Sequence, residues 1–144
     1  MSSGILSLRN AKFITESEHE ELYARCVPGK GDMLLSKVGT TGIPAIVDTD
    51  EPFSPFDRVA PLKFCHSCLE EAFLYYLLNN PLLQSQAAEN TRGVGNKNWM
   101  LDKIAKTVVF CSPLAEQKRV VARLEELLPP VRGIEVIQFL ASYD

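Results

Sequence analysis

The helix predicted over residues 112–128 constrains the fold of this chain more than any other stretch. Ser112 can accept a backbone N–H at the N-cap, and Pro113 suits the first helical position because its missing N–H would be unpaired there. Glu116 then lies near the positive end of the helix dipole. Pro129-Pro130 end the helix, because neither residue can donate to the helical ladder, so the rod is about 24 Å long at 1.5 Å per residue.

One side of this predicted helix is an apolar stripe. Its apolar residues recur at intervals of three, four and seven, which is typical of a helix that packs against another helix. A helix this short is marginal in isolation, so its stripe needs a partner. We predict helix pairing through Leu114, Val121, Leu124 and Leu128.

The remaining pattern alternates short apolar runs with helical segments. Thr15 and Glu18 have the spacing of a capping box, which predicts a helix over 15–26. Strands are predicted at 33–38, 43–47, 59–64 and 107–110, helices at 69–78 and 81–88, a tight turn at 39–42 and a polar loop at 89–98. This order indicates an α+β fold, with a mixed or antiparallel sheet, several helices and the C-terminal amphipathic, coiled-coil-type helix. Residues 129–144 match no pattern and stay unassigned.

Composition favours one globular domain. The chain has 144 residues, of which 46% are hydrophobic and 23% charged. No run reaches the roughly 18 apolar residues of a membrane span, and the first residues lack the features of a signal peptide, so a cytoplasmic location is expected. The net charge of −3 argues against nucleic-acid binding, since DNA affinity comes largely from phosphate neutralisation, but only the charge of the contacting face counts.

Several segments together resemble one protein family. The run from Pro113 to Leu127, with its Glu-Gln-Lys-Arg sequence, resembles the point at which a target recognition domain passes into the central helix in specificity subunits of type I restriction-modification enzymes. The segments 31–35, 39–47, 75–83 and 93–101 resemble the same family. The resemblance covers roughly residues 10–128, with boundaries uncertain by a few residues.

This resemblance implies a non-catalytic DNA reader. Residues 1–111 would form a target recognition domain, whose N-terminal part is incomplete if it follows the family, and residues 112–128 a truncated spacer helix. The implied partners are double-stranded DNA, the methyltransferase (M) subunit and, through it, the restriction (R) subunit. A homodimer that presents two half-sites is one arrangement open to such a chain. A relic or an interaction module that pairs with restriction-modification proteins without binding DNA is the alternative.

Two polar segments supply the candidate DNA-binding residues. Arg and Lys can pair with phosphates or guanine edges, Asn can be bidentate to adenine, and glycines let a backbone approach the duplex. The candidates are Lys37, Thr40, Thr41 and Arg58 in one group, and Arg92, Asn96, Lys97 and Asn98 in the other. Composition alone favours a plain solvated loop, whereas the resemblance favours DNA contact.

Other motifs indicate no chemistry of their own. A structural zinc needs four ligands, and Cys65-His-Ser-Cys68 supplies only two convenient ones, so these cysteines are interpreted as ordinary thiols. The acidic run 48–52 lacks the glycine and distal glutamate of a calcium loop. With no phosphate loop or dinucleotide fingerprint either, we expect no catalytic residue, no metal site and no cofactor. A cysteine-dependent enzyme or a zinc protein is the competing class.

Overall fold

The computed structural model describes residues 13–92 and 97–128. These residues form five helices and five strands. Three of the strands form an antiparallel sheet, and the other two form a small hairpin. The elements in chain order are α1 (Glu16–Arg25), β1 (Met33–Ser36), β2 (Pro44–Ile46), β3 (Val59–Leu62), α2 (Glu71–Leu78), α3 (Pro81–Asn90), β4 (Thr91–Arg92), β5 (Asn98–Trp99), α4 (Leu101–Ile104) and α5 (Leu114–Leu127). The predicted α+β class is confirmed.

Helix α1 begins at the predicted capping box. The Glu18 carboxylate accepts the Thr15 backbone N–H at 3.0 Å, and the Thr15 hydroxyl accepts the Glu18 N–H at 3.3 Å. No residue of α1 is buried. The helix therefore contributes little to the core. It is stabilised by its own cap and an exposed Arg25–Glu21 ion pair, and the Ser54 hydroxyl, 2.8 Å from the His19 Nδ1, links it to the rest of the chain.

The three-stranded sheet has β1 at its centre, with β2 and β3 at its edges. Both edge strands contain a proline: Pro44 is paired with Leu35 and Pro61 with Leu34. A proline cannot donate to the ladder, so it is tolerated where one side of the strand has no neighbour. The predicted strands are confirmed at 33–36, 44–46 and 59–62, each shorter than expected.

The core forms where α2 and α3 cover one face of the sheet. Half of the eight residues of α2 are buried, because its apolar residues lie on most sides of the helix. The core cluster consists of Met33, Leu35, Leu74, Tyr75, Leu78, Leu83, Ala87 and Trp99. Asn80 caps α3, its side chain accepting the Leu82 N–H at 2.9 Å, so the helix begins at residue 81 as predicted.

Helix α5 packs on α2 through a buried polar residue. Gln117 is fully enclosed, and its Oε1 accepts the Glu70 N–H at 2.8 Å. Its Nε2 donates to the carbonyl oxygens of Cys68, at 2.9 Å, and Ser112, at 2.7 Å. One amide thus joins the start of α2, the approach to α5 and α5 itself, and the neighbouring Val121 closes the contact from the same side of the helix.

Three sequence predictions are corrected. Pro113, not Ser112, is the N-cap of α5, and no side chain caps this helix. The Ser112 backbone carbonyl instead accepts the Gln117 Nε2. The predicted strand 107–110 is irregular, since the Val108 N–H and C=O bond the Gln86 side chain instead of a neighbouring strand. The predicted loop 89–98 is partly regular: α3 continues to Asn90, and β4 pairs with β5.

Candidate nucleic-acid interface

The described residues of both predicted DNA-binding groups lie at one end of the sheet. Lys37 follows β1, and its N–H donates to the carbonyl of Arg58, just before β3, at 2.9 Å. The Lys37 carbonyl accepts the N–H of Trp99, in β5, at 2.7 Å. The backbone of Lys37 therefore joins the sheet to the β4–β5 hairpin.

The turn 39–42 is attached to the same hairpin. The Gly39 N–H donates to the Lys97 carbonyl at 2.8 Å, and Val38 forms an antiparallel bridge with Asn98. This bridge consists of the Gly39–Lys97 bond and the Trp99–Lys37 bond, and it makes the turn and the hairpin one continuous surface rather than two independent loops.

Two consecutive side-chain hydrogen bonds connect the turn to α3. The Thr91 hydroxyl lies 2.5 Å from the Ala87 carbonyl, to which it donates, and 3.1 Å from the Thr41 hydroxyl. A hydroxyl has one proton, so Thr91 must accept from Thr41. Thr41 is thereby held to the helix end that precedes the hairpin.

The turn itself is tightly constrained. Gly39 and Gly42 have φ values of 80° and 85°, in the left-handed region that favours glycine. The buried Ser36 hydroxyl donates to the Thr40 carbonyl at 2.6 Å and accepts the Ile43 N–H at 2.9 Å. Because a Cβ on Gly42 would also crowd Ala87 at 3.2 Å, no other residue fits there without strain.

We call the resulting surface the basic end of the sheet. Its members are Lys37, Thr40, Thr41, Arg58, Lys97 and Asn98. Thr40, Arg58 and Lys97 are exposed, and Lys37, Thr41 and Asn98 are half-buried. Three segments that each carry a cation are thus joined in a chain whose net charge is −3, although the exposed Asp57 precedes Arg58.

Two of the predicted residues cannot be placed on this surface in full. Asn96 lies outside the described residues, and of Arg92 only the backbone is described, where it pairs with Asn98. The Asn98 Oδ1 is buried without a hydrogen-bond partner among residues 13–92 and 97–128. A bidentate contact of Asn98 with adenine would therefore require its side chain to turn outward.

The predicted helix-pairing residues of α5 differ in how far they are buried. Val121 is buried against the rest of the chain, and Leu114 and Leu124 are half-buried. Leu128 is exposed, as is its neighbour Leu127, with 66% of its surface accessible. Part of the stripe is thus covered by this chain, and its C-terminal end is open.

Sequence reasoning missed Gln117. It lies three residues after Leu114 and four before Val121, which places it on the apolar stripe itself. A polar residue inside such a stripe signals a buried hydrogen-bonding role, because an unpaired amide there would be costly. The signal was present in the sequence.

Within residues 13–92 and 97–128, no three His, Cys, Asp or Glu side chains lie together where they could hold a metal ion. None of the helices of this described part is long and apolar enough to cross a membrane.

Comparison with known proteins finds similarity to the family that the sequence motifs resemble. No protein-family model matches the sequence. Over 135 residues, or 94% of this chain, it is 25% identical to the type I restriction enzyme EcoBI specificity subunit of Escherichia coli, and covers 28% of that protein. The crystal structure of a type I restriction-modification S subunit from M. genitalium superposes with a TM-score of 0.51 at 20% identity, covering 67% of this chain and 25% of that one.

The chain thus spans about a quarter of the length of each of these relatives. Its fold is shared with the structural relative, and its sequence similarity extends over nearly all of its residues. By sequence and by fold, the chain is related to a part of the specificity subunits of type I restriction-modification enzymes.

Proposed function

We propose that the chain is a non-catalytic, sequence-specific DNA-recognition component of a type I restriction-modification system. Residues 1–111 would form one target recognition domain and residues 112–128 the start of a spacer helix. The similarity to specificity subunits supports this assignment at the level of the family.

The observation that carries the proposal is the joining of distant residues at the basic end of the sheet. Arg58 follows Lys37 by 21 positions, and Lys97 follows Arg58 by 39. Backbone hydrogen bonds nevertheless join the three segments that carry these residues. A duplex binds clustered cations more strongly than scattered ones, because several phosphates are neutralised at once.

We assign the charged residues to phosphates and Thr40 to closer contact with the duplex. Lys97 is an exposed, flexible point charge, which suits a phosphate better than a base edge. Thr40 lies on a constrained turn whose glycines let the backbone come close to the duplex. Thr41 is half-buried and engaged with Thr91, so it would position the turn rather than read a base.

The open end of α5 is the proposed site for protein partners. Leu127 and Leu128 are exposed apolar residues on a helix whose other end is already packed on α2. In this proposal they contact the M subunit, through which the R subunit is recruited, or a second copy of the chain. The region 129–144 has no assigned role.

Binding of fluorescent random-sequence duplexes, measured by anisotropy, tests the proposal. Alone, the chain should bind weakly and lose affinity steeply with salt, and with a cognate M subunit it should become sequence-specific. Replacing Arg92 and Lys97 by Ala should weaken binding in both cases. No duplex binding at low salt, with or without the M subunit, would refute the proposal.

A second candidate is an interaction module that pairs with restriction-modification proteins without touching DNA. The net charge of −3 and the exposed Leu127–Leu128 end favour it. The same experiment separates the two: this candidate predicts a stable complex with the M subunit and no contribution of the basic end of the sheet to duplex affinity.

A further inference from the structure

Two exposed cysteines stand at the ends of one tight turn, away from the basic end of the sheet. The Cys68 and Leu69 N–H groups both donate to the Cys65 carbonyl, at 2.9 Å each. A turn closed in this way brings the first and fourth Cα atoms within about 7 Å. Disulfides span Cα separations of roughly 4.4–6.8 Å, so the backbone already holds the pair near bonding distance.

The side chains of the turn face each other as well. The Ser67 hydroxyl lies 2.9 Å from the Cys65 sulfur and 3.7 Å from the Cys68 sulfur. Two sulfurs that share one hydroxyl lie on the same side of the turn. Neither sulfur therefore has to cross the backbone to reach the other.

The same contacts make Cys65 the better nucleophile. The pKa of the Cys65 thiol is lowered from its usual value of 9.0, most by the hydrogen bond with the Ser67 side chain and then by that with the Cys68 side chain. A lower pKa raises the fraction of thiolate, which is the form that attacks a disulfide. Because Cys65 is exposed, an oxidant in solution can reach it.

We propose that Cys65 and Cys68 are a redox-active pair, which a low-molecular-weight disulfide such as oxidised glutathione converts to an intramolecular disulfide. The Cys65 thiolate attacks one sulfur of the oxidant, forming a mixed disulfide and releasing one glutathione thiolate. The Cys68 thiolate then attacks the Cys65 sulfur and releases the second glutathione. The two cysteines are oxidised, the oxidant is reduced, and the two thiol protons end on the two glutathiones.

The pair is connected to the junction between α2 and α5. The Cys68 carbonyl accepts the Gln117 Nε2 at 2.9 Å, and Glu70, two residues further on, donates its N–H to the Gln117 Oε1. A disulfide between Cys65 and Cys68 would therefore form directly beside an acceptor that Gln117 uses to hold α5.

Counting free thiols during incubation with oxidised glutathione tests the proposal. The chain has four free cysteines, and we expect two to disappear together while the protein stays monomeric on a non-reducing gel. In the control C26S/C111S variant the same two thiols should be lost. In C65S and in C68S the reaction should stop at a mixed glutathione adduct or not start.

Ser67→Ala provides a second, milder variant that leaves both cysteines in place. It should form the same disulfide more slowly at neutral pH, because the thiolate of Cys65 loses its hydrogen bond. Retention of all four thiols in the wild type, or crosslinking between chains instead of within one, would overturn the proposal.

Discussion

Replacing Gln117 by Leu should destabilise the protein far more than a single polar contact usually does. The substitution keeps the helix propensity and most of the volume, but removes the partners of the Glu70 N–H and of the Cys68 and Ser112 carbonyls. Each such group left unpaired costs about 1 kcal/mol when water can partly replace the lost partner. The sum is about 3 kcal/mol, a large share of the ~5–15 kcal/mol that stabilises a typical domain.

Urea denaturation followed by the fluorescence of the buried Trp99 measures this loss. Gln86→Leu is the matched control, since Gln86 makes two side-chain hydrogen bonds to the Val108 backbone, both at the surface. That variant should lose no more than about 0.5 kcal/mol, as is usual for surface substitutions. If Q117L unfolds at the same urea concentration as Q86L, Gln117 is not what fastens α5 to α2.

Three further outcomes are expected. Trp99→Ala should cost about 3–5 kcal/mol in urea denaturation, since the indole fills the core beneath the basic end of the sheet; a loss below ~1 kcal/mol would contradict this packing. The N-cap hydrogen bonds lower the pKa of Glu18 from 4.5, so the support of α1 by this carboxylate is present above that pH and is lost as pH falls through the lowered pKa. In Glu18→Gln, amide exchange in α1 should lose this pH dependence, whereas an unchanged profile would assign it to another group. The double substitution L127S/L128S should leave stability unchanged but weaken M-subunit binding in pull-down titrations, and undiminished binding would move that contact elsewhere.

Local sequence rules predicted the elements whose ends are fixed by neighbouring residues. The Thr15–Glu18 box and the Asn80-Pro81 start of α3 depend on contacts within four positions, and both are present. Pro44 follows a rule of the same local kind: a proline in a strand favours an edge or a bulge, because the missing N–H belongs to the residue itself, and β2 is an edge strand.

The sequence predictions were wrong where a residue elsewhere in the chain determines the local structure. The sequence of 107–110 favours a strand, but its polar groups find the Gln86 side chain and no strand partner. Ser112 has the chemistry of a cap, yet its carbonyl is engaged by Gln117 and the helix begins one residue later than predicted. Such competition between side chain and backbone is not visible in a local pattern.

The candidate site was predictable in its residue types and not in its geometry. Resemblance grouped the turn around Lys37 with the loop around Lys97, and the two segments are hydrogen-bonded to each other, from Trp99 to Lys37 and from Gly39 to Lys97. The enclosed Oδ1 of Asn98 could not be read from sequence, because it depends on how the hairpin lies on the sheet. That these residues contact DNA stays a prediction.

The salt dependence of duplex binding tests the central claim most directly. K37A/K97A removes two cations from the basic end of the sheet. The control R25A/K30A removes two cations from elsewhere: Arg25 lies on α1 and pairs with Glu21, and Lys30 precedes β1 and pairs with Asp50. If this end contacts phosphates, the slope of log affinity against log salt should become shallower by about 2 in K37A/K97A and stay unchanged in the control. Equal slopes for the wild type and K37A/K97A would contradict a DNA-binding role for this surface.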